Sequence, residues 1–501
     1  MLRRGGNAMD AAIASTLVVG VTEGNTSLAG GGALTYYEAK TKKTIVINFE
    51  PNGFKEDVLP YTQERDSLTG RSTKVSGSFA GFYLASQKYG VLPWRQLLEP
   101  AIFYAENGYP INGHAYSTMR QYYATLTLQP SGRQIFAPDG FLPKVGELFK
   151  QPELAETLKK ISEQGPDYFY KGPFAEKMVK AIQEIGGKAT LEDFASYRAL
   201  ELDPVKGSYK DYQIIGPPAP GDSTIAFIEA MNILENVDLK SMGHYSQSAD
   251  SLQWMIEVLR VMYNDVRNFS GVPEFDRALG QVLMSKEYAR RRYELIQYKI
   301  EQMKRLASEK TSGAQTASVR DDYEPGPDRG THHVSSVDRG GNVCSFMHTI
   351  YGSTYSYSGL FVGGLVLNAS GGFRSHPGER IYPQCGPPIV FKGDRPYFAP
   401  GSSGGTVIPF FLIANILIWG ENFKEAQEAP RFGAPAPGDN KVRIEHRIDD
   451  KVIEELKRRG YQIEWLAPYS MASGQVAGID PTTGIRFGAT DPRAHGKAAG
   501  Q

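Results

Sequence analysis

Along this chain, stretches with apolar residues at helical spacing take turns with stretches in which apolar and polar positions alternate. Asn7 can cap a helix over Ala8–Val19, whose apolar positions mix alanines with Ile13, Leu17 and Val18. Ala33–Glu38 and Thr44–Phe49 alternate as a hairpin around Lys40–Lys43. A helix fits Pro93–Gly108, and Phe174, Met178, Ala181, Ile182 and Ile185 fall at helical spacing before Gly186-Gly187. Leu252–Arg267 and Ser285–Ala307 are strongly helical. Then the pattern stops. Glu309–Gly330 is polar, carries Gly, Ser, Pro and Asp with little periodicity, and predicts a mobile linker. Beyond it, short strands dominate: Thr331–Val337, Val343–Thr349, Phe361–Leu367, Ile389–Phe391, Tyr397–Ala399, Val442–Glu445, Gln462–Trp465 and Gly474–Asp480. A buried helix near Pro409–Gly420 interrupts them. Two stacked sheets covered by helices satisfy this pattern, an α+β arrangement.

Composition narrows the function classes. A chain of 501 residues can bury a large core, and length alone suggests about two to four domains. Lys+Arg and Asp+Glu both number 55, so no basic excess points to nucleic acid or to an anionic membrane. The longest apolar run, Val407–Trp419, falls short of the roughly 20 residues a bilayer demands. Met1-Leu2-Arg3-Arg4 leads straight into Gly5-Gly6-Asn7 without an apolar signal region. The sequence as given therefore predicts a cytoplasmic protein, or a periplasmic or secreted one if a longer N-terminus precedes it. Cys344 and Cys385 are too few for a disulfide framework or a zinc cluster and read as small buried hydrophobes; a bridge between them stays open.

The chemistry concentrates at Gly330-Thr331. A threonine hydroxyl is a weak nucleophile while its own nitrogen is locked in an amide. If the Gly330–Thr331 bond is cut, Thr331 becomes an N-terminus whose free amine can act as base for its own hydroxyl. An α-amine has an ordinary pKa of about 7.7–8.0, so a useful fraction is neutral near physiological pH. Gly330, lacking a Cβ, suits the close approach that self-cleavage needs. The dipeptide alone is equally an ordinary strand start. His332 and His333 are adjacent on a strand and point to opposite faces, so they cannot share one metal ion, and no HExxH or His/Cys cluster supports them.

Gly330–Asp338, followed by Gly340-Gly341-Asn342, resembles the processing site of the gamma-glutamyltranspeptidase family. The resemblance runs in order through Arg4–Ala12, Gly30-Gly31-Gly32, Val75–Gly77 with Gly81, Tyr89–Trp94, Pro100-Ala101-Ile102, Thr190–Asp193, Pro217–Pro220, Gly401–Gly405 and Gly488–Arg493. It covers almost the whole chain. It implies the four-layer αββα sandwich of N-terminal-nucleophile hydrolases, with residues 1–330 as a large subunit and 331–501 as a small catalytic one, paired as a heterodimer in a single fold. It also implies roles: Thr331 as nucleophile, Thr349 as a second threonine contacting it, and Gly404 and Gly405 as backbone oxyanion donors. Thr349 read alone is a satisfied strand threonine. The Gly401–Thr406 turn has no phosphate-cradling lysine.

The resemblance weakens at substrate recognition. Phe49 stands where the family has an arginine for the glutamate α-carboxylate. Tyr351 replaces its asparagine, Gly371-Gly372 its paired acids for the α-ammonium, and Pro383-Gln384 its serine pair. Losing a partner for a buried charge typically costs about 3–5 kcal/mol. Phe49, Tyr351, Gly372, Arg374 and Gln384 are thus the candidate substrate-binding residues, with Tyr355 adding aromatic character and Arg374 and Arg380 as alternative carboxylate partners. The expectation is a self-cleaving amidohydrolase or acyltransferase for a small-molecule amide whose acyl group is not γ-glutamyl. A true γ-glutamyl hydrolase or transferase is the alternative, and an uncleaved, non-catalytic binding relative the alternative of another class. No cofactor, nucleic acid or membrane is implied.

Overall fold

Thr331–Val337 pairs antiparallel with Val343–Thr349 through a register that sets Thr331 opposite Thr349, and Val343–Thr349 pairs in turn with Gly31–Glu38. Lys43–Asn48 and Leu200–Leu202 complete a five-stranded sheet on the far side of Gly31–Glu38. The structure is a computed structural model that describes residues 1–23, 28–219, 223–269, 273–309, 330–372, 376–381, 386–403, 407–435, 438–494 and 496–500. The linker expected over Glu309–Gly330 therefore falls, but for its ends, outside the described residues.

Two units make up the chain. The first comprises Met1–Pro204 and Pro327–Ile389, the second Val205–Gly326 and Val390–Gln501. Each takes chain from both sides of the Gly330–Thr331 bond, so the expected subunit boundary cuts through both. In the first unit, strand alternation divides the sheet into two faces. Leu34, Tyr36, Ile45, Ile47, Cys344 and Phe346 point into a core shared with the helices Ala8–Thr22 and Ser78–Tyr89. Thr331, His333, Ser345 and Thr349 occupy the alternate positions. The Ala8–Thr22 helix starts where the sequence places it: Asn7 Oδ1 accepts the Asp10 N–H, and the Asp10 carboxylate accepts the Asn7 N–H, a capping box.

The second unit holds a six-stranded sheet in the order Arg486–Thr490, Gly474–Ile479, Arg395–Ser402, Ile389–Lys392, Tyr212–Gly216 and Val205–Tyr209. Its core is shared with Ser223–Leu234, Ala249–Phe269, Lys286–Glu309 and Val407–Ala414. Glu229, fully buried on the first of these helices, faces Asp265, whose carboxylate is held by Arg292 and Tyr288. Burial and the neighbouring Asp265 push the Glu229 pKa well above its ordinary value.

One expectation needs correcting, and another gains detail. Phe361–Leu367 is not one strand but a tight hairpin of Phe361–Val362 and Leu365–Val366, because Gly363 and Gly364 adopt φ of 60° and 75° and turn the chain. The helix near Pro409–Gly420 begins at Val407, and its last turn, Asn415–Trp419, is π-helical before Gly420 ends it at φ 75°. Sequence periodicity also passed over the strands Val205–Tyr209, Tyr212–Gly216 and Arg486–Thr490 and the helix Pro152–Gln164.

Candidate active site at Thr331

The register that opposes Thr331 and Thr349 brings their hydroxyls together, with 2.7 Å between the two Oγ1 atoms. Thr349 Oγ1 is a hub. It donates to the Gly330 carbonyl at 3.1 Å and accepts the Tyr351 N–H at 3.0 Å. A hydroxyl has one proton, and here Gly330 O takes it. The Thr331 hydroxyl must then donate to Thr349, so its own lone pairs stay free. Gly330 O also accepts the Ile350 N–H at 2.9 Å. Thr331 and Thr349 are both buried, and among the described residues no ionisable side chain hydrogen-bonds the Thr331 hydroxyl.

Backbone shape supports this cluster from both sides. Tyr351 sits at φ 61°, a left-handed conformation unfavourable for a bulky residue, and that turn aims its N–H back at Thr349. The glycine run does the rest. A Cβ on Gly30 would lie 2.1 Å from Thr349 O, and one on Gly32 would lie 2.1 Å from Met347 O. Only glycine lets these two strands approach so closely.

The histidines divide as alternation requires. His333, on the Thr331 face, places Nε2 2.9 Å from Ser345 Oγ. His332 packs against His348 with ring centroids 5.0 Å apart, and His348 Nε2 lies 2.8 Å from Ser78 Oγ. Among the described residues neither His332 ring nitrogen has a hydrogen-bond partner. Burial pushes the pKa of His332 and of His333 down to about 3 and that of His348 well below its ordinary value, so all three are neutral at pH 7. Among the described residues no group of three or more His, Cys, Asp or Glu side chains could hold a metal.

The expected substrate positions are spread out. Phe49 is fully buried among Phe82, Phe346 and the backbone of Gly81, on the helix-facing side with Ile45 and Ile47. Tyr351 and Tyr355 are buried in the loop after Thr349, and the Tyr355 ring meets Phe136 at 5.4 Å. Gly372 is exposed beside Tyr61. Arg380 donates to Asn48 O at 3.0 Å, to Asn48 Oδ1 at 2.9 Å and to Arg198 O, and lies over the Tyr197 ring. Arg374, Gln384, Gly404 and Gly405 lie outside the described residues, as does Cys385; Cys344 is buried in the first unit's core.

In the second unit the strand that leads toward Gly404 in sequence ends at Ser402, and Ser403 is tied down. Its N–H donates to Ser473 O at 3.2 Å, and the two hydroxyl oxygens lie 2.9 Å apart. Next to Ser473, the Gly474 N–H donates to Asp491 Oδ2 at 2.6 Å. Asp491 belongs to a buried quartet of two acids and two bases: Arg431 reaches it at 2.6 Å, Arg493 at 3.1 Å, and Arg493 also holds Glu445. None of these four side chains is more than 1 % exposed. Asp491-Pro492-Arg493 was visible as a sequence block, but nothing in sequence revealed the partnership with Arg431 and Glu445.

Comparison with known proteins agrees with this architecture. The sequence model of the family described as Gamma-glutamyltranspeptidase matches residues 1–501. The chain is 31% identical over 527 residues to a glutathione hydrolase proenzyme of Escherichia coli (strain K12), covering 99% of this chain and 88% of that protein. It is 28% identical over 491 residues to the acylase ACY 1 proenzyme of Pseudomonas sp. (strain SE83), covering 92% of this chain and 84% of the relative. The crystal structure of a cephalosporin acylase from Bacillus halodurans superposes with a TM-score of 0.85 at 26% identity, over 99% of this chain and 92% of that one. The fold is thus α+β, of the N-terminal-nucleophile hydrolase class, and the chain is an amidohydrolase-type enzyme that belongs to the gamma-glutamyltranspeptidase family.

Proposed function

We propose that the chain cuts itself between Gly330 and Thr331 and then works as an N-terminal-threonine amidohydrolase or acyltransferase. The observation that carries this reading is the Thr331–Thr349 hydroxyl pair at 2.7 Å, seated against the Gly330 carbonyl. Among the described residues no ionisable side chain bonds to the Thr331 hydroxyl, which suits a nucleophile whose base is the amine released by the cut. In the mature enzyme Thr331 Oγ1 attacks the substrate amide carbon, Gly404 and Gly405 N–H groups receive the oxyanion, and water or an amine releases the acyl group. Residues 1–330 and 331–501 remain together as a heterodimer, because each unit contains chain from both fragments.

The acyl group in this reading carries a carboxylate but no α-ammonium. The position aligned with the family's carboxylate-binding arginine is the core residue Phe49. Arg380, nearby across an Asn52 bridge, is held by neutral oxygens, and among the described residues no carboxylate pairs with it. Where the family has acids for the ammonium, Gly371 is packed against Arg71 O and Ser72, with no room even for a Cβ. A relative named as an acylase is in keeping with such a substrate. The second reading, γ-glutamyl hydrolysis or transfer, is favoured by the relative named glutathione hydrolase.

Denaturing electrophoresis tests the cut: wild type yields two fragments beginning at Met1 and Thr331, and Thr331→Ala stays whole. A wild type that stays intact under all conditions leaves only a binding relative. Release of 4-nitroaniline from the glutaryl anilide should exceed that from the γ-glutamyl anilide. The reverse preference returns the substrate to the γ-glutamyl class.

A further inference from the structure

We infer that self-cleavage has its own oxyanion hole, made by the Ile350 N–H and the Thr349 hydroxyl, and does not use the glycine pair assigned to turnover. The inference rests on the proposed cut at Thr331 and adds what stabilises its transition state. Gly330 O is the atom on which negative charge develops when Thr331 Oγ1 adds to the Gly330 carbon. It already accepts two hydrogen bonds, from Ile350 N at 2.9 Å and from Thr349 Oγ1 at 3.1 Å. Oxyanion donors act at about 2.7–3.1 Å from the developing charge, so both are in range before the reaction starts.

The two donors differ in origin. The Ile350 bond continues the antiparallel ladder one residue beyond Thr331 and alone would be ordinary pairing. The Thr349 bond does not belong to the ladder. It exists because the Tyr351 N–H occupies one side of the Thr349 oxygen and leaves its proton directed at Gly330. Both donors sit in a buried setting, where a fixed dipole acts on a charge more strongly than it does in water.

The step balances without an external reagent until its last stage. The Thr331 Oγ1–Gly330 C bond forms while Thr349 Oγ1 keeps its own proton on the Gly330 oxygen. As the Gly330–Thr331 C–N bond breaks, the Thr331 hydroxyl proton passes to the leaving nitrogen, which becomes the amine. Water then hydrolyses the ester, giving the Gly330 carboxylate and restoring the Thr331 hydroxyl.

The test follows conversion of the purified intact chain into its fragments as a first-order rate, in wild type, Thr349→Val, Thr349→Ser and Gly404→Ala. Thr349→Val should slow the cut about 10²–10³-fold, the usual effect of losing one oxyanion donor, while Thr349→Ser restores it to within about tenfold of wild type. Gly404→Ala should lower anilide turnover and still let the chain cut. The inference is overturned if Thr349→Val cuts at the wild-type rate, or if Gly404→Ala blocks the cut. If Thr349→Val fails to fold, the Gly404→Ala arm decides alone. An intact wild type removes the threonine-nucleophile reading itself; a wild type that cuts as fast as Thr349→Val removes only the oxyanion assignment.

Discussion

Around Thr331 the hydrogen-bonding groups are uncharged: the Thr349 hydroxyl, the Gly330 carbonyl and the N–H groups of Ile350 and Tyr351, and the histidines on the same two strands are neutral. Around Asp491 the opposite holds. Arg431, Arg493, Asp491 and Glu445 bury four formal charges that cancel, and they grip the backbone of Gly474 next to the residue that holds Ser403. The difference fits the roles proposed for each place. A nucleophile needs protons that can move, and a fixed ion beside it would trap them. A support needs the reverse: pairs so costly to separate that the backbone they hold has one position. Loss of one partner from a buried pair costs about 3–5 kcal/mol, whereas a neutral hydrogen bond contributes about 1 kcal/mol.

The largest effect should come from breaking the ionic support. Arg493→Met leaves Asp491 to Arg431 and leaves buried Glu445, among the described residues, with only the Arg447 cation at 3.9 Å, and the urea midpoint should fall by the equivalent of about 3–5 kcal/mol. A change under 1 kcal/mol would make the quartet ornamental and erase the contrast. Next comes acid sensitivity of the neutral region. His332, His333 and His348 all have lowered folded-state pKa values, so the unfolded chain binds their protons first as pH falls. The stability they contribute is complete above pH 6.5 and is lost as pH falls, for His332 and His333 toward about 3, by about 1.4 kcal/mol per pH unit for each of these two. Urea unfolding at pH 6.5 and 5 should show the slope, and His332→Thr should remove one histidine's share of it. The smallest effect belongs to Glu229. Its folded-state pKa is raised, so stability present below pH 4.5 declines as pH rises through the folded value. Glu229→Gln should therefore gain more stability, relative to wild type, at pH 8 than at pH 5, each tenfold in proton affinity being worth about 1.4 kcal/mol. An equal change at both pH values would count against the shared burial of Glu229 and Asp265.

Local pattern carried the sequence reading a long way in the first unit. Thr331–Val337 and Val343–Thr349 have the bounds that alternation gave them, and the Asn7 cap is in place. These elements are legible because period and capping chemistry are short-range. What stayed hidden depends on contacts between residues far apart in the chain. Phe49 could be aligned with an arginine from sequence, but its burial against Phe82 and Phe346 appears only when three elements meet. The Gly330 carbonyl with its two donors is likewise a product of register, and the Arg431–Asp491 pair joins residues 60 positions apart. The Phe361–Val366 hairpin was missed because its apolar run hides two glycines that turn instead of extend.

The pairing of Thr331 with Thr349 has one more consequence. A slip of one residue between those strands would send every side chain to the opposite face and part the two hydroxyls. Under the proposed cut, a molecule that pairs its strands wrongly cannot mature, and the scission doubles as proofreading: only chains that have reached the native register acquire the power to act on anything else.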